Sequence, residues 1–497
     1  MVAAKVPRLS KSRFQAGLQC AKYLWLLCHM PELADPTTES LQAVFDQGHT
    51  VGALAREYFP GGVLVEEDHL HGFDALRTTE RLLRDDVRCL YEPAFAYDGV
   101  LVRTDVLFKQ PGGGPGAGWA LVEVKSTTQP KPEHTTDLAI QTYVLRGAGI
   151  PVASCHLLHL NSGYVYPGGS YDLGQLFSMV DLTGEVDLFL PSIPDLLRQM
   201  RNVLAGPLPD ASIGRSCGNP YQCSFFGYCH QSLPEFPVTE IPRIDDGLLR
   251  ALLADGYRSI LDVPLSYPGL TPAQRTVCDV IQCGEPRFDP AVKNDLSRLH
   301  EPIHFLDFET FMSALPLHAG TRPYQAIPFQ WSCHALGGGL EHREFLYTRP
   351  DDPRREFAES LISALPGDGP IVVYTPYENT ILSSLAADLP DLAAPITAIQ
   401  ARLFDLAKVV RDGVQHPQFH GRTSLKYVLP ALVDDLSYDG LAVRNGEVAT
   451  LRYGQAVQGD FCEADQEAIF NDLRAYCRTD TLALVKLYEE LLRAGES

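Results

Sequence analysis

The stretch Ile303-His304-Phe305-Leu306-Asp307-Phe308-Glu309-Thr310 decides how the second half of this 497-residue chain is read. Apolar residues run up to an Asp-x-Glu pair, the pattern of a buried strand that ends in charge. Successive strand side chains point to opposite faces, so Asp307 and Glu309 project the same way. Two carboxylates on one face suit a hard divalent cation such as Mg²⁺ or Mn²⁺, which takes oxygen ligands. Asp-x-Glu is common at strand ends, so the reading depends on the rest of the chain.

Two later segments add to it. Ile371-Val372-Val373-Tyr374-Thr375-Pro376-Tyr377-Glu378-Asn379 reads as a β-branched strand, a Pro-marked turn and the start of a helix, with Glu378 at the junction. Tyr476-Cys477-Arg478-Thr479-Asp480 lies in a helical pattern, and Tyr476 and Asp480, four residues apart, share one face. Asp405, in Leu403-Phe404-Asp405-Leu406, competes with Glu378 as a ligand or else is a strand-end acid that orients a neighbour.

The order Asp-x-Glu, an acid after a second strand, and Tyr-x-x-x-Asp resembles the three exonuclease motifs of the DEDD family, tyrosine subtype, over residues 300–497. The resemblance implies a ribonuclease-H-like fold and 3′→5′ exonuclease activity. It also implies two metal ions held by Asp307, Glu309, Glu378 and Asp480, with Tyr476 orienting the attacking water. Two-metal catalysis stabilises both the entering and the leaving oxygen at phosphorus. The family commonly has Asp where this chain has Glu378, whose reach is longer.

A second pattern lies nearer the N-terminus. Val100-Leu101-Val102-Arg103-Thr104-Asp105-Val106-Leu107-Phe108 reads as one strand and Trp119-Ala120-Leu121-Val122-Glu123-Val124-Lys125 as the next. Between them, residues 111–118 are Gly/Pro-rich and fit a flexible hairpin loop. The hairpin brings Asp105 beside Glu123 and Lys125, which share a strand face and can coordinate a metal and stabilise phosphate charge. This spacing resembles the PD-(D/E)XK nuclease core, in particular its RecB-like branch. The likeness extends to the glutamine-containing helix Asp137-Leu138-Ala139-Ile140-Gln141-Thr142-Tyr143, although the branch's tyrosine usually lies further from the glutamine than Tyr143 does. It further implies a histidine ligand near Phe45-Asp46-Gln47-Gly48-His49; against that stands an ordinary surface or core role for His49.

Three cysteines, Cys217, Cys223 and Cys229, crowd one glycine-containing, aromatic-rich loop, and Cys20 in Gly17-Leu18-Gln19-Cys20-Ala21-Lys22 is the best fourth. Thiolates suit iron–sulfur clusters and zinc alike. One cysteine ahead of the nuclease core and three behind it resembles the iron–sulfur staple of AddB-type and CRISPR-associated RecB-like nucleases, which implies a [4Fe-4S] cluster. The Cys217 to Cys223 gap is wider than that staple's, so Zn²⁺ and unligated buried thiols stay open.

The whole chain resembles a bacterial family that fuses a RecB-like nuclease to a DEDD-type exonuclease domain. The expected architecture is α/β in three parts. A PD-(D/E)XK restriction-endonuclease-like domain spans 1–232, a helical connector 233–300, and a ribonuclease-H-like mixed-sheet domain 301–497. The connector resembles a helix-hairpin-helix, which would hold a phosphate backbone with helix N-termini and main-chain amides; a plain helical spacer is the alternative.

Length and 45% apolar content are too much for one core and imply two domains with a connector. A formal charge of −21, from 41 Lys plus Arg against 62 Asp plus Glu, opposes tight nucleic-acid binding through bulk electrostatics. Local basic runs can still follow phosphates, and 416–426, which lacks an acid, is either such a contact or a solvated loop. Twelve mostly scattered cysteines with no secretory signal fit a reducing cytoplasm, and no membrane role is indicated.

The expected function is hydrolysis of DNA in repair, recombination or defence, with RNA not excluded. The sequence itself gives no protein partner, and the resemblance to RecB-like nucleases, which often work beside a helicase, leaves a helicase open. Two alternatives remain: a nuclease with one active centre whose other domain docks substrate, and a non-enzymatic iron–sulfur nucleic-acid-binding protein.

Overall fold

The computed structural model describes residues 9–67, 71–85, 87–109, 118–211, 213–459 and 461–494. Residues 111–117, read above as most of the hairpin loop, lie outside them. The fold is α/β. The chain divides into two compact units, 1–232 with 313–324, and 233–312 with 325–497. Segment 233–300 therefore groups with the second unit.

The first unit runs β1 (Leu9–Ser10), α1 (Lys11–Gln19), α2 (Ala21–His29), α3 (Glu39–Tyr58), β2 (Val63–Leu64), α4 (Gly72–Arg84), β3 (Cys89–Tyr91), β4 (Ala94–Tyr97) and β5 (Val100–Arg103). It continues with β6 (Val106–Lys109), β7 (Trp119–Lys125), α5 (Pro132–Gly147), β8 (Val152–Leu160) and β9 (Phe177–Asp181), besides shorter helices. A mixed sheet has the order β2-β3-β6-β7-β8-β9, and a smaller one β1-β5-β4. Side-chain alternation sorts the larger sheet's faces. Leu107, Leu121 and Leu157 pack with Leu138 and Val144 of α5, while Val106, Val122 and Leu158 pack with Val51 and Ala55 of α3. Glu123 and Lys125 continue the row that faces α5.

Residues 100–108 are not one strand. β5 and β6 belong to different sheets, and the chain changes sheet at Thr104 and Asp105. The break is held by main-chain bonds, from Thr104 N–H to the Pro93 carbonyl and from Glu92 N–H to the Asp105 carbonyl, both 3.1 Å. β6 and β7 pair antiparallel, Val106 opposite Val122.

The second unit holds β10 (Arg287–Phe288), β11 (Ile303–Phe311), β12 (Ile327–Leu336), β13 (Leu340–Leu346), β14 (Ile371–Val373), β15 (Leu403–Asp405) and β16 (Val414–Gln415). Five of these form a sheet of order β13-β12-β11-β14-β15. β12 is antiparallel to β11 and β13, while β14 and β15 run parallel to β11. Leu306 and Phe308 pack against Phe357 and Leu361 of the helix Arg354–Ala364. Ile303 and Phe305 pack against Leu484, Leu487 and Tyr488 of the 32-residue helix Glu463–Ala494. Asp307 and Glu309 fall in that second row, on the face this helix covers.

Within 233–300, helices Asp246–Ala254 and Pro272–Cys283 flank the turn Ile260–Asp262. Leu248, Leu252, Ile260, Cys278 and Ile281 give the segment its own apolar cluster. Among the described residues, no helix is long and apolar enough to cross a membrane.

Candidate active centres and the cysteine cluster

In the second unit, β11 and the long helix bring acids together by two periodicities, i and i+2 along the strand and i and i+4 along the helix. An oxygen each of Asp307 and Glu309 and the Cys477 sulfur all lie within 4.8 Å of one another. The Cys477 thiol donates to Asp307 Oδ2 at 3.7 Å. Burial first, then Asp480 and the other nearby acids, push the Asp307 and Glu309 carboxyls well above the usual range. Burial raises Asp480 to about 7, against hydrogen bonds from Tyr438 and Tyr476. The Tyr438 hydroxyl donates to Asp480 Oδ1 at 2.5 Å.

Glu378 occupies the first turn of the helix Tyr377–Asp388, just beyond β14. It is buried, its Oε2 has no partner among the described residues, and burial lifts its carboxyl to about 8. Asp405 instead ends β15 and accepts the Lys408 N–H at 3.0 Å, capping the helix Leu406–Gly413. Asp307, Glu309, Glu378, Tyr438, Tyr476 and Asp480 all line a cavity of about 980 Å³; Asp405 is not among the described residues that line it. Ser424, Leu425 and Lys426, the end of the acid-free segment, do line it, as does Arg444. Upstream in that segment, His420 pairs with Glu240 at 2.7 Å. No Lys or Arg among the described residues forms an ion pair with the four carboxyls, so their repulsion is answered by phenols and a thiol.

In the first unit, Glu123 is 1% exposed and accepts three donors. Lys11 Nζ lies 2.9 and 3.1 Å from its two oxygens, Lys125 Nζ 2.7 Å from Oε1, and Gln141 Nε2 2.7 Å from Oε2. Burial works to raise Glu123, and Lys11 and Lys125 overcome it, holding the carboxyl far below the usual range. Lys125 also reaches Asp137, one helical turn before Gln141 on α5, at 2.8 Å. The Asp105 carboxylate accepts the Val124 N–H at 2.6 Å and is pushed up to about 7, by burial and then by Glu123.

Two expected residues stand elsewhere. Tyr143 donates to Asp98 at 3.1 Å with its ring against Tyr97, away from Glu123. His49 is exposed on α3, and no interaction among the described residues joins it to Asp105 or Glu123.

Sequence reading passed over Lys11, Asp137, Tyr438 and Cys477. Helical spacing could have found two of them, since Asp137 precedes Gln141 by four residues and Cys477 precedes Asp480 by three. Lys11 and Tyr438 carry no such signal.

Cys20 sits between α1 and α2, and it lines one small cavity of about 20 Å³ with Cys217, Cys223 and Cys229. The Gln19 amide ties the two segments by donating to the Ser216 carbonyl at 2.6 Å and the Tyr221 carbonyl at 2.8 Å. Burial pushes the Cys223 thiol up to about 11 and raises that of Cys229. Four thiols lining one cavity are a donor set of the kind a thiophilic cluster takes, although no three of their sulfurs lie within 4.8 Å of one another.

Residues 304–424 match a family described as a domain of unknown function (DUF2779). That span carries Asp307, Glu309, Glu378 and Asp405 and stops short of Tyr438, Tyr476 and Asp480. No curated protein matches the chain. A solved structure titled "Crystal structure of SSO0001" is similar over 40% of this chain and 79% of its own, at 11% identity and a TM-score of 0.19.

Proposed function

We propose that this protein is a metal-dependent nuclease with two active centres, acting on DNA in repair, recombination or defence, with a 3′→5′ exonuclease in its second unit. One observation carries the reading: Asp307, Glu309, Glu378 and Asp480, from three separate elements, converge on one large cavity without a cationic partner among the described residues. Buried carboxyls that repel one another bind protons or a cation. The donors are oxygens, which fits Mg²⁺ or Mn²⁺. Held by these four acids, such ions would supply the charge that stabilises the entering and leaving oxygens at phosphorus.

The chain's own groups do the rest. Tyr476, on the cavity wall one turn before Asp480, orients the attacking water, a positioning effect that acts on turnover. Lys426 and Arg444 on the same wall meet the phosphates of the strand. The order of the five-stranded sheet, with β11 central, antiparallel pairing on one side and parallel pairing on the other, supports the ribonuclease-H-like reading. In the first unit, Asp105, Glu123, Lys125 and Gln141 support a RecB-like PD-(D/E)XK centre. Asp105, at the break between β5 and β6, and Glu123, on β7, would hold its metal there, and Lys125 would meet developing phosphate charge.

End-labelled single- and double-stranded DNA and RNA, incubated with Mg²⁺ or Mn²⁺, test this. Shortening from the 3′ end that chelation abolishes is expected, and intact substrates under every condition overturn the proposal.

For the cysteines we propose a [4Fe-4S] cluster. Protein purified without oxygen should be brown, with broad blue absorption that bleaches on oxidation. A colourless preparation with one zinc per chain assigns the site to zinc.

A further inference from the structure

Lys11 belongs to none of the motifs that pointed to the N-terminal centre. Its position is nonetheless closely fixed. β1 pairs in parallel with β5, Leu9 opposite Val100 and Ser10 opposite Leu101. Ser10 then caps α1 by accepting the Arg13 N–H at 3.3 Å, and Phe14 anchors the helix in the core. Lys11, the first residue of α1, is thus set where its ammonium spans both oxygens of Glu123, a residue 112 positions away.

The three donors on Glu123 are not equivalent. Lys125 is also held by Asp137 at 2.8 Å, and Gln141 by the Asp137 carbonyl at 3.0 Å. Among the described residues, Glu123 is the only hydrogen-bond and ion-pair partner of the Lys11 ammonium, although Asp105 and Asp137 also attract it. Lys11 and Lys125 are equally exposed, so this partnering is what sets them apart. It covers the same two oxygens through which Glu123 would hold a divalent cation. Of the three donors it is the one that can leave. Lysine is suited to that, being a point charge on a flexible stem with freely turning donors.

We propose that Lys11 is a second functional lysine of the N-terminal centre, which competes with the divalent cation for Glu123 and turns to the substrate's phosphate once the cation takes that carboxylate. This rests on the reading of Asp105 and Glu123 as metal ligands. It makes cation entry an exchange of one positive group for another, so that a displaced ammonium stands ready beside the site where phosphate charge develops.

The test uses the full chain with Glu309→Gln and Asp480→Asn to silence the second unit's ligands, and Mn²⁺ affinity read by electron paramagnetic resonance. A nearby opposite charge changes a carboxylate's proton affinity by ~10- to ~1000-fold, so Lys11→Met should tighten Mn²⁺ binding by about tenfold. Its single-turnover cleavage at saturating Mn²⁺ should fall by about tenfold. Lys11→Arg, which keeps the charge, should leave affinity near that of the parent. Lys11→Gln gives the same reading as Lys11→Met should the latter unfold.

Affinity that is unchanged or weaker in the neutral variants overturns the competition. A tighter site that cleaves at the parent's rate overturns the phosphate role. A parent protein that binds no Mn²⁺ sensitive to Asp105→Ala removes the metal reading of this unit, and Lys11 falls with it.

Discussion

The N-terminal and C-terminal acidic centres use the same local geometry, a strand with i, i+2 side chains facing a helix with i, i+4 side chains, and reach opposite electrostatic states. At Glu123, two lysines and an amide neutralise a buried carboxylate. At Asp307, Glu309, Glu378 and Asp480, burial pushes every carboxyl upward, neighbouring acids add to it at Asp307 and Glu309, and a thiol and two phenols are the neighbours. The difference lies in what the facing elements supply. α5 and α1 bring Asp137, Gln141 and Lys11, a mixed set; the long helix brings Tyr476, Cys477 and Asp480 and so adds negative charge. One centre carries its own cations; the other has none paired with its carboxyls among the described residues, and the cation proposed for it comes from solution.

Removing one acid from each centre should separate them most. Asp105→Ala and Asp307→Ala should each cost their own cleavage activity at least ~10²-fold and spare the other. Equal loss of all cleavage from both variants breaks the two-centre reading.

Around Asp480 the comparison sharpens to roles within one centre. Tyr476→Phe should lower single-turnover cleavage of a 3′-labelled strand about tenfold with Mn²⁺ affinity nearly unchanged, since positioning of a nucleophile is a transition-state effect. Asp480→Asn should weaken Mn²⁺ binding as well, because it removes charge. Tyr476→Phe at the wild-type rate makes that phenol a packed helix residue.

The smallest effect concerns stability. Carboxyls raised to about 7 at Asp480 and about 8 at Glu378 bind protons in the folded state that the unfolded chain has released. Their contribution is therefore fully present below about pH 4 and is lost as pH rises through about 7 to 8. Glu123, held low, acts in the other sense: its contribution persists at neutral pH and is lost only on acidification below the ordinary carboxylate range. Calorimetry without metal should show a transition of the second unit that moves a few degrees lower from about pH 5 to about pH 8. Mn²⁺ should restore it more at the higher pH. A midpoint flat with pH and indifferent to Mn²⁺ contradicts the charge contrast.

Short-range periodicity made part of this legible in the sequence. Asp307 with Glu309, Glu123 with Lys125, and Tyr476 with Asp480 are fixed by strand and helix spacing alone, and Gln141 lands on Glu123 because α5 covers the face on which Glu123 lies. Other features were set by non-local pairing that leaves no local trace. Lys11 reaches Glu123 only because β1 zips onto β5, and Tyr438 reaches Asp480 from the segment between helices Leu425–Leu432 and Gly446–Gln458. The break at Thr104 and Asp105 was invisible because both flanking runs are equally β-prone, and the change of sheet depends on which partners each run finds. Tyr143 shares α5 with Gln141 but stands two residues on, which in a helix turns it away from the sheet row holding Glu123.

Residues 313–324 leave the chain just after β11 and belong to the first unit, where Ala314 and Leu315 are buried with Val51, Val106 and Tyr164. During synthesis, which runs from the N-terminus, the first unit therefore cannot close this part of its core when residue 232 has been made. It must wait until the connector and the central strand of the other sheet have been translated, so the first unit completes its core only after the second has begun to emerge, though still ahead of residues 325–497, which the second unit needs.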